Sequence, residues 1–225
     1  SIIEVEVESI GNLSNFKSNE ISLNSIGYIF EWSSLKDAEF LSGLLTNDFN
    51  VRYTTKDITT NGKKFNAGAI ILLQRDQTKS NFHSSIIEIS NLHERRTHAI
   101  ISGISDMGPD LGSSDVKLLL NKKVATLAGD GISSLNYGAI WHFFEKTLKY
   151  PLTHLNYDTF NRVDLSSIDV LILASGFYSA STEYDTKIKN WVSNGGKLIA
   201  IDRALNSLTR LDIGLNKNTN GKENN

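Results

Sequence analysis

Two short apolar runs constrain what this chain can fold into more than any other feature. Ala67 to Leu73 is continuously apolar, and Asp169 to Ala174 is apolar after its first residue. Runs of this length read as β-strands covered on both faces. They fall far short of the ~20 apolar residues that cross a bilayer, so no transmembrane segment is expected. Around them the chain alternates between strand-like and helix-like patterns. Ile26 to Phe30 is a β-rich run, and Ser34 starts a helix with Asp37 three residues on, a capping-box arrangement. Leu35, Ala38, Leu41, Leu44 and Leu45 then recur at helical spacing. Asn50 to Thr55 reads as a strand, Asn61-Gly62 as a hairpin turn, Phe82 to Leu92 as a helix and His98 to Ile104 as a strand.

The rhythm restarts after the loop from Gly108 to Ser114. Lys123 to Ala128 is a strand, Tyr137 to Leu148 a helix and Pro151 to Leu155 a strand. After the Asp169 run, Thr186 to Val192 is helical and stops at Asn194-Gly195-Gly196, a C-terminal glycine signal, before a last strand from Lys197 to Ile201. Strands alternating with helices of this length predict β-α-β units. The expected fold is therefore α/β, with flavodoxin-like or amidotransferase-like parallel sheets flanked by helices in two consecutive units. Residues 25–107 are expected to form the first unit and residues 108–213 the second, an incomplete amidotransferase-like unit. Residues 1–24 alternate weakly and are expected to be a linker or edge strand from an upstream region. Residues 214–225 are almost wholly polar and are expected to be disordered.

Charge and composition exclude several classes. The 225 residues carry 23 basic and 25 acidic side chains, a net charge of −2, which lacks the basic excess of a nucleic-acid binder. The absence of cysteine removes disulfides, thiolate metal sites and cysteine nucleophiles. The single methionine is Met107, so a chain starting at Ser1 is expected to be a processed product or an excised piece.

Three motifs resemble chemical sites, and each has a plainer reading. His93-Glu94-Arg95-Arg96-Thr97-His98 resembles the helical zinc-protease signature, but its second histidine stands at i+5 rather than i+4. That places it roughly 140° further round a helix, on a different face. His142-Phe143-Phe144-Glu145 matches a His-x-x-Glu ligand pair, yet His154 is the last histidine and no distal third ligand follows. Gly129-Asp130-Gly131 lies between a strand and a helix, where backbone amides can meet an anion. Ser134 stands where a dinucleotide fingerprint requires its third glycine, so a tight turn is the plainer reading.

Gly108 to Asp115, Lys123 to Ser134 and Gly138 to Glu145 together carry a resemblance. Asn161 to Leu165, Asp169 to Leu173 and Gly195 to Ala200 extend it in order. As a set they resemble the C-terminal region of large bacterial proteins of the carboxypeptidase A-like zinc peptidase family, where a region similar to class I glutamine amidotransferases follows the peptidase domain. The resemblance spans residues 105–212, and residues 25–104 more loosely. It implies a secreted parent, extracellular or periplasmic, with zinc held only in a catalytic domain outside this chain. The implied partners are that upstream peptidase domain and a peptide or polymer substrate. The amidotransferase elbow Gly-x-Cys-x-Gly would fall after the last strand, where Asp202 replaces the nucleophile and both glycines are missing.

The expected role is thus a non-catalytic accessory module with no cofactor of its own. The alternative is a small-ligand-binding domain at the carboxyl edge of the second sheet, using Asp130, Ser133, Ser134, Ser175, Tyr178, Asp202 and Arg203. A hydrolase built on Ser133 or Ser175 lacks the Gly-x-Ser-x-Gly elbow that such a nucleophile requires.

Overall fold

A computed structural model describes residues 16–22, 24–211 and 213. The expectations for residues 1–15 and for the tail 214–225 fall outside the described residues. The chain divides into two compact units, Ser1–Trp32 with Arg52–Lys117, and Ser33–Val51 with Leu118–Asn225.

In the first unit, β1 is Gly27–Phe30. It is followed along the chain by α1 (Leu35–Thr46, counted with the second unit), β2 (Arg52–Thr54), β3 (Ile58–Thr60) and β4 (Lys63–Phe65). Next come β5 (Ile70–Leu73), α2 (Phe82–Leu92), β6 (His98–Ile100) and β7 (Val116–Leu118). The five-stranded sheet has the order β6-β1-β5-β2-β7, and β3-β4 form a separate hairpin. Asn61 and Gly62 turn that hairpin with φ of +51° and +72°, the paired positive values of a type I′ turn.

This sheet corrects the expectation of a parallel first unit. β5 runs antiparallel to both β1 and β2, and β6 runs antiparallel to β1. The hairpin sends the chain back so that β5 inserts between β1 and β2, and β1 likewise separates β5 from β6. That is a doubled split β-α-β connection. The apolar run Ile70–Leu73 is covered on both faces, as the sequence predicts, but in an antiparallel central position.

The Gly108–Ser114 loop lies within the first unit, and the division between units comes later, at Lys117. The reason is hydrophobic: Leu111 and Val116 bury themselves in one cluster with Ile29, Ile71 and Ile100. Thr59 also pairs with Met107 through an isolated bridge.

The second unit contains β8 (Val124–Ala128), α3 (Ser134–His142), β9 (Leu152–Asn156), β10 (Val170–Leu173), α4 (Thr182–Ser193), β11 (Lys197–Ala200) and α5 (Ala204–Leu208). α3 runs on into a π-helical stretch, Phe143–Leu148. Its four strands are all parallel in the order β11-β10-β8-β9, as expected for β-α-β units. Side chains alternate between two cores. Ala125, Leu127, Leu171 and Leu173 face Tyr184, Ile188 and Trp191 of α4, whereas Val124, Ile172 and Ala174 cluster with Ile140 of α3. α1 joins this unit by lying against the π-helical stretch. The Asp37 carboxylate, itself buried, secures the start of α1 by accepting hydrogen bonds from Ser33 N, Ser34 N and Ser34 Oγ.

Candidate functional site

In an open parallel sheet a ligand crevice is expected where the strand order reverses, beyond the carboxyl ends of the strands. Here the reversal falls between β8 and β10, because β9 lies on one side of β8 while β10 and β11 lie on the other. The two loops at that point are stitched together by backbone. Ser133 N donates to Ser175 O at 2.8 Å, Phe177 N donates to Gly131 O at 2.9 Å, and Ile132 pairs with Gly176 as an isolated bridge.

The residues named from sequence at this edge separate into four sets. Ser175, Asp202 and Arg203 come together. Ser175 is buried, and its hydroxyl donates to Asp202 Oδ2 at 2.7 Å. Asp202 turns the corner after β11 in the left-handed region, at φ +51°, where its short polar side chain is tolerated better than most. The Ser175 hydroxyl, and then the Arg203 backbone N–H, hold the Asp202 carboxyl below its ordinary range. The Arg203 side chain lies over the exposed Phe177 ring, 5.7 Å from its centroid, and its charge adds to the lowering of the Asp202 carboxyl.

Ser133 and Ser134 serve the start of α3. Ser133 caps the helix, its hydroxyl accepting from the Asn136 backbone N–H, while Ser134 is the exposed first helical residue. Asp130 stands exposed in the loop. Tyr178 leaves the edge altogether: it is buried, donates to Ala174 O at 2.8 Å, and stacks with Tyr184 beside Tyr157. Burial pushes the Tyr178 and Tyr184 phenols up from their ordinary values. Sequence pattern alone did not indicate this tyrosine cluster, because its members come from three separate segments.

The chemistry open to the Ser175–Asp202 pair is limited. A nucleophilic serine needs a base poised to take its proton. The Asp202 carboxyl is held low, so it accepts the hydrogen bond without serving as an effective base near neutrality. Of the histidines in the second unit, His154 has its Nδ1 2.9 Å from the Tyr137 hydroxyl and His142 is exposed on α3. The two zinc-like patterns also fail as ligand sets. His98 Nε2 lies 2.9 Å from Lys63 Nζ, Glu145 is exposed and paired with Lys146 at 2.7 Å, and His142 is exposed. Among the described residues, no group of three His, Asp or Glu side chains is placed to hold a metal ion. No helix among them is long and apolar enough to cross a membrane. Compared with protein-family models, with curated proteins and with solved structures, the chain finds no match.

Proposed function

We propose that this chain is a non-catalytic accessory module, the C-terminal amidotransferase-like region of a secreted zinc carboxypeptidase-like protein. In this reading the second unit is an incomplete flavodoxin-like sheet that packs against an upstream peptidase domain or presents a surface to substrate or partner. The observation that carries it is the corner after β11. The position where an amidotransferase-like strand would present its nucleophile holds Asp202, with its carboxylate engaged by the Ser175 hydroxyl and lowered in pKa. An ionised carboxylate in that setting has no route to acyl transfer of the thiolate kind. The sequence motifs between Gly108 and Ala200 add the family context.

Two measurements test this. The full chain is expected to remain unlabelled by a serine-reactive fluorophosphonate and to leave glutamine and peptide C-termini intact. Chelator-sensitive trimming of peptides would overturn the reading. The native protein, captured from its source with an antibody to this chain, is expected to have an intact mass far above 25.0 kDa. A species near that mass would mean the chain acts alone and would remove the accessory role.

A further inference from the structure

The first unit carries a pocket that the reading above does not use. Ile26, Leu73, Gln74, Arg75, Gly103 and Leu111 enclose a volume of about 390 Å³. Leu73 and Leu111 are buried and form an apolar floor, and Ile26 is half-exposed at the rim. Two backbone amides around the pocket are bonded within the chain: Gln74 N donates to Ile26 O at 2.9 Å, and Leu111 N donates to Gly103 O at 3.1 Å. The side chains that line the pocket also bear on its chemical selectivity.

Those side chains favour an anion. The Asp76 carboxylate is committed to Arg52, whose Nε and Nη2 donate to it at 2.6 and 3.2 Å. Arg75 reaches the same carboxylate only at 4.0 Å, with its side chain 64% exposed. The largely exposed Arg75 guanidinium thus lies near that carboxylate without a hydrogen bond to it. Asp110, next to Leu111, turns its carboxylate toward Ser105 N at 2.9 Å. An apolar pocket of this size with few polar groups at its mouth has the make-up of a small-molecule site. A guanidinium fork is the group best matched to a planar carboxylate.

We propose that this pocket binds a small aliphatic carboxylate, its hydrocarbon chain on Leu73 and Leu111 and its carboxylate on Arg75. The volume would otherwise hold on the order of a dozen waters, enough room for an eight-carbon chain. The site belongs to the first unit and stands or falls independently of the accessory role proposed for the chain.

Calorimetric titration of the full chain with octanoate, octanol and octylammonium tests the proposal. Octanoate is expected to bind below about 1 mM, with octanol about tenfold weaker and octylammonium weaker still. Arg75→Gln is expected to reduce octanoate to the affinity of octanol. Ile26→Trp, at an exposed rim position, is expected to fill the mouth and weaken both ligands. Thermal unfolding establishes that each variant is folded. No octanoate binding at about 1 mM, equal affinity for octanoate and octylammonium, or an unchanged preference in Arg75→Gln would overturn the site. Unchanged binding in Ile26→Trp would place the ligand elsewhere and overturn it as well.

Discussion

Asp202 and His98 show how a single side chain takes its properties from partners distant in sequence. Asp202 combines a left-handed backbone with a hydrogen bond from Ser175, 27 residues earlier. Asp202→Asn preserves both, since Asn tolerates this conformation and its carbonyl oxygen also accepts from a hydroxyl. That variant is expected to melt within a degree or two of the parent chain, whereas Asp202→Val, β-branched in the same conformation, is expected to melt several degrees lower. His98 is held below its ordinary pKa chiefly by burial and then by the Lys63 ammonium, with Glu31 opposing. The unfolded chain therefore takes up a proton near pH 6.5 that folded His98 resists. Stability tied to this group is present above that value and is lost as the pH falls below it. Thermal melts at about pH 7.5 and pH 5 are expected to show a smaller acid loss for His98→Gln than for the parent chain.

Elements form where local signals and packing agree. α2 spans Phe82–Leu92 as its periodicity predicts, and the Ser34–Asp37 signal does start α1. Within α1, however, Leu35 is 51% exposed while Asp37 and Phe40 are buried, so the apolar spacing read from sequence chose part of the wrong face. Two glycines show where packing leaves no room for a side chain. A Cβ on Gly196 would lie 2.3 Å from Cδ2 and Cε2 of Trp191, the residue whose indole N–H donates to Ile168 O. A Cβ on Gly27 would lie 2.3 Å from Leu72 O in the neighbouring strand. Gly196→Ala is expected to cost about 1–3 kcal/mol in chemical denaturation, the usual range for overpacking. Gly27→Ala is expected to cost at least as much, because the obstructing atom is backbone in a central strand and has less freedom to give way.

At the scale of the whole molecule, the two units are interleaved in sequence: residues 33–51 are counted with the second unit although the first unit surrounds them in the chain. A fragment starting at Leu118 would therefore lack α1, which lies against Phe143–Leu148. Such a fragment is expected to melt lower than one in which residues 33–51 are joined to it by a flexible linker, and equal melting temperatures would show that α1 adds nothing. The sequence by itself determined the α/β class, the apolar strands, the hairpin turn and the parallel second unit, because periodicity, capping and turn chemistry act over a few residues. It also named Ser175, Asp202 and Arg203 through their places after strands. Only the tertiary structure decided that the first sheet is antiparallel, since β5 enters between β1 and β2 by long-range pairing that local pattern does not encode. Tertiary packing likewise sent Tyr178 into a tyrosine cluster and put Arg75 at the mouth of an apolar pocket. Those contacts join residues far apart in the chain, and burial and partner geometry exist only once it has folded.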